Sequence, residues 1–220
     1  MLSKYKLYFI YYLFIFPLSY GIYALFYKYL RIPNIPVVQI FLAFISFFFI
    51  LKFGKKWKLF EKIKNVKEIL LLTLLLVILF ATNNYLIISY DTIVPWKTKY
   101  LENPILPILV SYILSSTSEE IIYRGFIQNY INNKIGNKND RTISNGNWVA
   151  TAIMTLIHIG FFAYFNLIFA ITSIILVFIL SLVSGYIMDK TKNITIPIII
   201  HILVNFIHYF VCLGVLKEYL

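Results

Sequence analysis

Long apolar runs, nearly free of charge, recur along the whole of this 220-residue chain. A membrane-spanning helix needs about 20 mostly apolar residues. The sequence offers seven such runs, at about 7–27, 34–53, 68–90, 104–131, 147–163, 164–188 and 194–216. Inside a bilayer the backbone must satisfy its own hydrogen bonds, which leaves only helices and closed barrels. Barrel strands alternate apolar and polar residues, and these runs do not. The expected fold class is therefore all-α, a polytopic membrane helical bundle of about seven transmembrane helices. Composition agrees: 60% hydrophobic and 13% charged residues lie far from a water-soluble domain, and such a composition excludes intrinsic disorder.

The first run follows Lys4 and Lys6 but has no small-residue cleavage signal, so it reads as a retained helix and not a removed signal peptide. Loops are short, with no Gly/Ser-rich linker and no repeat, which predicts one compact domain. Within it, 1–103 supplies N-terminal scaffold helices and 104–216 carries the polar motifs. Between the fifth and sixth runs the chain passes from Gly160 to Asn166 without a charge, as a tight hairpin or a bend embedded in the membrane. Cys212 is the sole cysteine, so it forms no intrachain disulfide and no thiolate cluster for a metal.

The net charge of +11 would suggest a nucleic-acid partner in a soluble protein. Its distribution points instead to the bilayer. With the lysine-dense stretch Lys52–Lys67 in the cytoplasm, seven alternating spans place 15 of the 20 basic residues inside, as the positive-inside rule requires. The N-terminus is then expected in the cytoplasm and the C-terminus outside, in the plasma membrane. The partners expected are the lipid bilayer and a peptide or protein substrate, with no nucleic acid; the oligomeric state is left open.

A charge near the bilayer centre costs at least about 2.5–3.5 kcal/mol and faces an interior or a cavity, so the exceptions matter. Glu119, Glu120 and Arg124 lie in the fourth run, His158 in the fifth, and His201, Asn205 and His208 in the seventh. Glu120 and Arg124 are four apart and can pair along one helix face. Glu119 points about 100° away from Glu120, free for acid/base chemistry. His201 and Asn205 share a face, one turn apart, whereas His208 is expected at the interface. Counted from the cytoplasmic helix ends, Glu119, His158 and Asn205 lie roughly 17–18 Å deep and His201 roughly 11 Å. One polar pocket can therefore gather them.

A buried carboxylate beside an imidazole can hold and deprotonate a water. A His–Asn pair supplies N–H donors for the oxyanion that forms when water attacks an amide. Peptide-bond hydrolysis is the chemistry these groups suit. A divalent metal such as zinc on Glu119, His158 and His201 is the other option, although the soluble His-Glu-x-x-His signature is missing. Spacing leaves the cofactor open.

Glu119-Glu120-x-x-x-Arg124, His158 and His201-x-x-x-Asn205, in that order, resemble the motif set of the CPBP intramembrane proteases, the CAAX-processing and bacteriocin-processing group also called the Abi family. The resemblance covers about 105–210 and extends to the stretch from Ser184-Gly185-Tyr186 through Thr195-Ile196-Pro197-Ile198. It implies an intramembrane endopeptidase in which Glu119 and His158 activate water, His201 and Asn205 stabilise the oxyanion, and Glu120 and Arg124 support them. The family usually has Phe four residues before the middle histidine; here Met154 stands there. The Lys-, Asn- and Ile-rich composition looks like that of a low-GC bacterium, where the resemblance implies peptide processing or bacteriocin self-immunity sooner than prenyl-protein trimming. Two non-hydrolytic readings stay beside it: an immunity or regulatory membrane protein without proteolysis, and a proton-coupled carrier. A carrier ordinarily shows matched halves with interrupted helices, whereas here the polar residues gather in the second half.

Overall fold

Inside a bilayer an apolar run has no water to bond to, so its backbone closes hydrogen bonds along its own axis. In the computed structural model, residues 37–63, 65–89, 108–135, 143–163 and 167–217 are described. Among them every regular element is helical, apart from an isolated antiparallel bridge between Phe60 and Asn193. Helix α1 is Val37–Phe53 and α2 is Val66–Ser89. Helix α3 covers 108–135 in four consecutive pieces, with wide π-type bonding at Ile108–Leu114 and Ile121–Gln128, and α-type bonding at Ser115–Glu120 and Asn129–Ile135. Helix α4 is Asn145–Ile157, followed by a 3-10 turn at His158–Ala163. Helices α5 and α6 are Leu167–Thr191 and Thr195–Lys217.

The expected runs from 34–53 onward fall on these helices, displaced by a few residues at their ends; the run at 7–27 lies outside the described residues. Among the described residues two helices, over Val66–Leu86 and Leu167–Thr191, are long and apolar enough to cross a membrane. Along α2 the exposed side chains are themselves apolar, among them Leu70, Leu71, Leu74, Leu75 and Ile78. The stretch from Ser184 through Ile198, whose sequence is similar to the family's, comprises the last part of α5, the turn at 192–194 and the start of α6. The uncharged passage after His158 begins as the 3-10 turn; 164–166 lie outside the described residues.

Directions follow from the side-chain pairings. Helices α3 and α5 run parallel, because Arg124 bonds Ser181, Gln128 bonds the Gly185 carbonyl and Asn132 bonds Asp189, each pair advancing four residues on both helices. Helix α6 runs antiparallel to α3, with His201 opposite Glu120, Asn205 opposite Ser116, and the Tyr209 ring beside that of Tyr112. Helix α4 is antiparallel to α3 as well: Gly146 bonds Asn132, and Met154 meets Arg124.

Two apolar clusters enclose these polar seams. Phe49, Phe53 and Trp57 stack around Phe126, tying α1 to α3. Leu76 and Phe80 of α2 pack with Leu176 and Leu180 of α5 and with Ile200 and Val204 of α6. At the end where α5 turns into α6, the lysine-rich segment after α1 is held by the backbone: Ile194 donates to the Leu59 carbonyl at 2.8 Å and Glu61 to that of Lys192 at 3.1 Å. The Asn193 side chain bonds the Glu61 carbonyl and, through its Oδ1, accepts from the Thr195 amide at the start of α6.

Candidate active site

Glu119 and Glu120 close the short α-helical piece between the two π-type stretches of α3. Such widenings are uncommon and recur at functional sites because they rotate side chains out of the regular helical phase. The Asn129 amide covers the carbonyls of Arg124 and Gly125 at 2.8 and 3.2 Å, anchoring the second widened stretch where it returns to α-helix.

Glu120 and Arg124 are both 0% exposed and pair at 3.4 Å, Oε2 to Nε. The four-residue spacing predicts this contact. It does not predict the third member: Glu120 Oε1 accepts from His201 Nδ1 at 2.9 Å across the α3–α6 interface. Arg124 in turn donates to the Ser181 hydroxyl of α5 and reaches the Met154 sulfur of α4 at 3.7 Å. Four helices thus converge on one guanidinium and its partner carboxylate. Met154, in the position that resembles a family phenylalanine, lies fully buried against it.

The remaining expected residues make contacts of their own. Glu119 is half-buried and accepts a 2.7 Å bond from Ser115. Asn205 donates to the Ser116 hydroxyl at 2.8 Å. His158 bonds the Met154 carbonyl through Nδ1 at 2.8 Å, with its ring against the edge of Phe161. A carbonyl only accepts, so Nδ1 carries a proton, and in the neutral ring the lone pair is on Nε2. Met154 meets Arg124, and His158 is one turn further along α4, so the antiparallel packing brings it to the level of Glu120.

His201 has committed Nδ1 to Glu120, leaving Nε2 as the ring nitrogen available to a ligand. His208 donates to Asn84 Oδ1 of α2 at 3.1 Å. Among the described residues no group of three His, Cys, Asp or Glu side chains is arranged to hold a metal ion.

Sequence reasoning missed Ser116, Ser181 and the seam beneath Arg124. A signal for the last existed: Ser181, Ser184 and Gly185 are small residues at helical spacing in an otherwise bulky apolar helix, a pattern that lets helices approach closely.

Residues 101–207 match the model of a family described as type II CAAX prenyl endopeptidase Rce1-like. This is the group that the Glu-Glu, His and His-Asn motifs resemble, and the matched region contains all of them. The family so described is one of CAAX-type endopeptidases, which are peptide hydrolases. No curated protein and no solved structure matches the chain.

Proposed function

We propose that this chain is an intramembrane endopeptidase that hydrolyses a peptide bond in a membrane-associated or secreted peptide, using water activated by Glu119 and His158. The observation that carries the reading is the α3–α6 register, in which Glu120 fixes His201 and Ser116 fixes Asn205. Two prospective N–H donors are thereby held one turn apart on one face, beside the half-buried carboxylate of Glu119.

The chemistry follows from the free atoms. Glu119 and the Nε2 lone pair of His158 take a proton from water as its oxygen attacks the amide carbon. The carbonyl oxygen gains negative charge and is met by Asn205 Nδ2–H and, when the ring carries both protons, by His201 Nε2–H. Collapse breaks the C–N bond, and the proton held by Glu119 or His158 passes to the departing amine. The products are a carboxylic acid and an amine, which exchange a proton to give a carboxylate and an ammonium, with no covalent enzyme intermediate. Glu120 and Arg124 touch no reacting atom; they orient His201 and neutralise each other in a dry site.

In this reading the chain sits in the plasma membrane of a bacterium as seven spans, 1–103 forming a scaffold around the 104–216 core, with the lysine-rich segment after α1 in the cytoplasm. The test is to profile peptide termini in membranes from cells expressing wild type or Glu119→Ala at equal amounts. New termini that appear with wild type and vanish with the variant support the peptidase. Identical profiles would replace it with an immunity or scaffolding role.

A further inference from the structure

Ser115 and Ser116 are adjacent in sequence, as are Glu119 and Glu120, and each serine lies one turn before its glutamate. On a helix such neighbours point about 100° apart, so the two hydroxyls serve different faces of α3. Ser115 donates to Glu119 Oε1 at 2.7 Å. Ser116, 1% exposed, accepts from Asn205 Nδ2 at 2.8 Å across the helix interface. Each hydroxyl therefore touches a different residue of the proposed machinery, one on the base side and one on the oxyanion side.

We infer that Ser115 and Ser116 are a pair of positioning residues, Ser115 orienting the Glu119 carboxylate toward water and Ser116 orienting the Asn205 amide toward the oxyanion. A carboxylate rotates freely about its last torsion, and an amide has two nearly equivalent orientations. Ser115 binds one oxygen of Glu119 and leaves Oε2 to face the water. Ser116 occupies one N–H of Asn205, which turns the nitrogen end inward and leaves the second N–H for a ligand. Ser116 accepts in this bond, so its own O–H remains a donor; the polarised chain from Asn205 through Ser116 favours the orientation further. This inference rests on the peptidase reading above and adds two residues to it.

The test uses the full chain in liposomes and a farnesylated, internally quenched CAAX peptide as probe. Wild type, Glu119→Ala, Ser115→Ala, Ser115→Thr, Ser116→Ala, Asn205→Ala and Ser116→Ala/Asn205→Ala are compared, with Thr73→Ala as a control whose hydroxyl bonds the Ile69 carbonyl within α2. Ser115→Ala and Ser116→Ala are each expected to lower kcat about fivefold to tenfold, the loss of one positioned hydrogen bond, with KM and thermal midpoint unchanged. Ser115→Thr, which restores a hydroxyl, should recover most of the loss. Ser116→Ala should change nothing further in the Asn205→Ala background, because it acts through Asn205. If wild type hydrolyses the probe and Glu119→Ala does not, yet both serine variants keep wild-type kcat, the positioning role is wrong while the peptidase stands. The Ser116 role is equally overturned if the Ser116→Ala and Asn205→Ala losses simply multiply. If wild type hydrolyses neither this probe nor any peptide in the membrane-terminus profile, the peptidase reading is overturned and the inference with it.

Discussion

Arg124 has no route to water: its guanidinium is enclosed by Glu120, Ser181 and Met154, contributed by three helices. Removing one partner of such a pair strands the other charge in a dry interior, at a cost of about 3–5 kcal/mol. Arg124→Ala is therefore expected to lower the thermal midpoint and the amount of protein in the membrane, and Glu120→Gln added to it should restore part of the loss. Residues on the reactive side behave differently. Glu119→Ala should reduce hydrolysis by about 10²–10⁴-fold and Asn205→Ala by about 10²–10³-fold, both at wild-type thermal midpoint in detergent. At this scale the Glu120–Arg124 contact was legible because four-residue spacing alone sets it. The His201–Glu120 bond was not, because its partners are 81 residues apart and it depends on how α6 is rotated about its axis. Residue types announced that Glu and His mattered; only the helix packing says which carboxylate meets which ring.

Between elements, the seam of α3, α4 and α5 sets the floor of the site. Gly185 is where it is tightest: a Cβ there would overlap the Asn147 amide, whose nitrogen bonds the Leu182 carbonyl and whose oxygen accepts from Thr151. Gly185→Ala must displace that amide and is expected to destabilise the bundle by about 1–3 kcal/mol. Asn147→Ala should relieve the overlap, so the double variant should melt above the sum expected from the two single losses, a coupling that a double-mutant cycle measures. Helix positions were readable from apolar run length, since a bilayer leaves few alternatives. The π-type stretches on either side of Ser115–Glu120 were not, because a one-residue widening leaves no mark in hydrophobic pattern and is decided by which side chains, here Asn129, cover the displaced carbonyls. The parallel α3–α5 ladder was partly visible as small residues on α5, without any indication of its partner.

Over the whole molecule, the pinning of Leu59 and Glu61 to Lys192 and Ile194 puts two basic segments at one end of the bundle. With Cys212 replaced, Lys55→Cys and Lys190→Cys should both resist an impermeant maleimide in intact spheroplasts and both react once the membrane is opened. Labelling of either from outside would reverse the orientation. Everything proposed for the site depends on water, placed by the α3–α6 polar layer, cleaving a peptide bond within the bundle. That step can be followed by incubating the purified protein in liposomes with a farnesylated CAAX peptide in ¹⁸O-water and reading the products by mass spectrometry. Wild type should give a shortened product bearing one ¹⁸O in its new carboxylate, and Glu119→Ala should leave the peptide intact. Equal cleavage by both proteins, or a shortened product without ¹⁸O, would refute hydrolysis by Glu119-activated water.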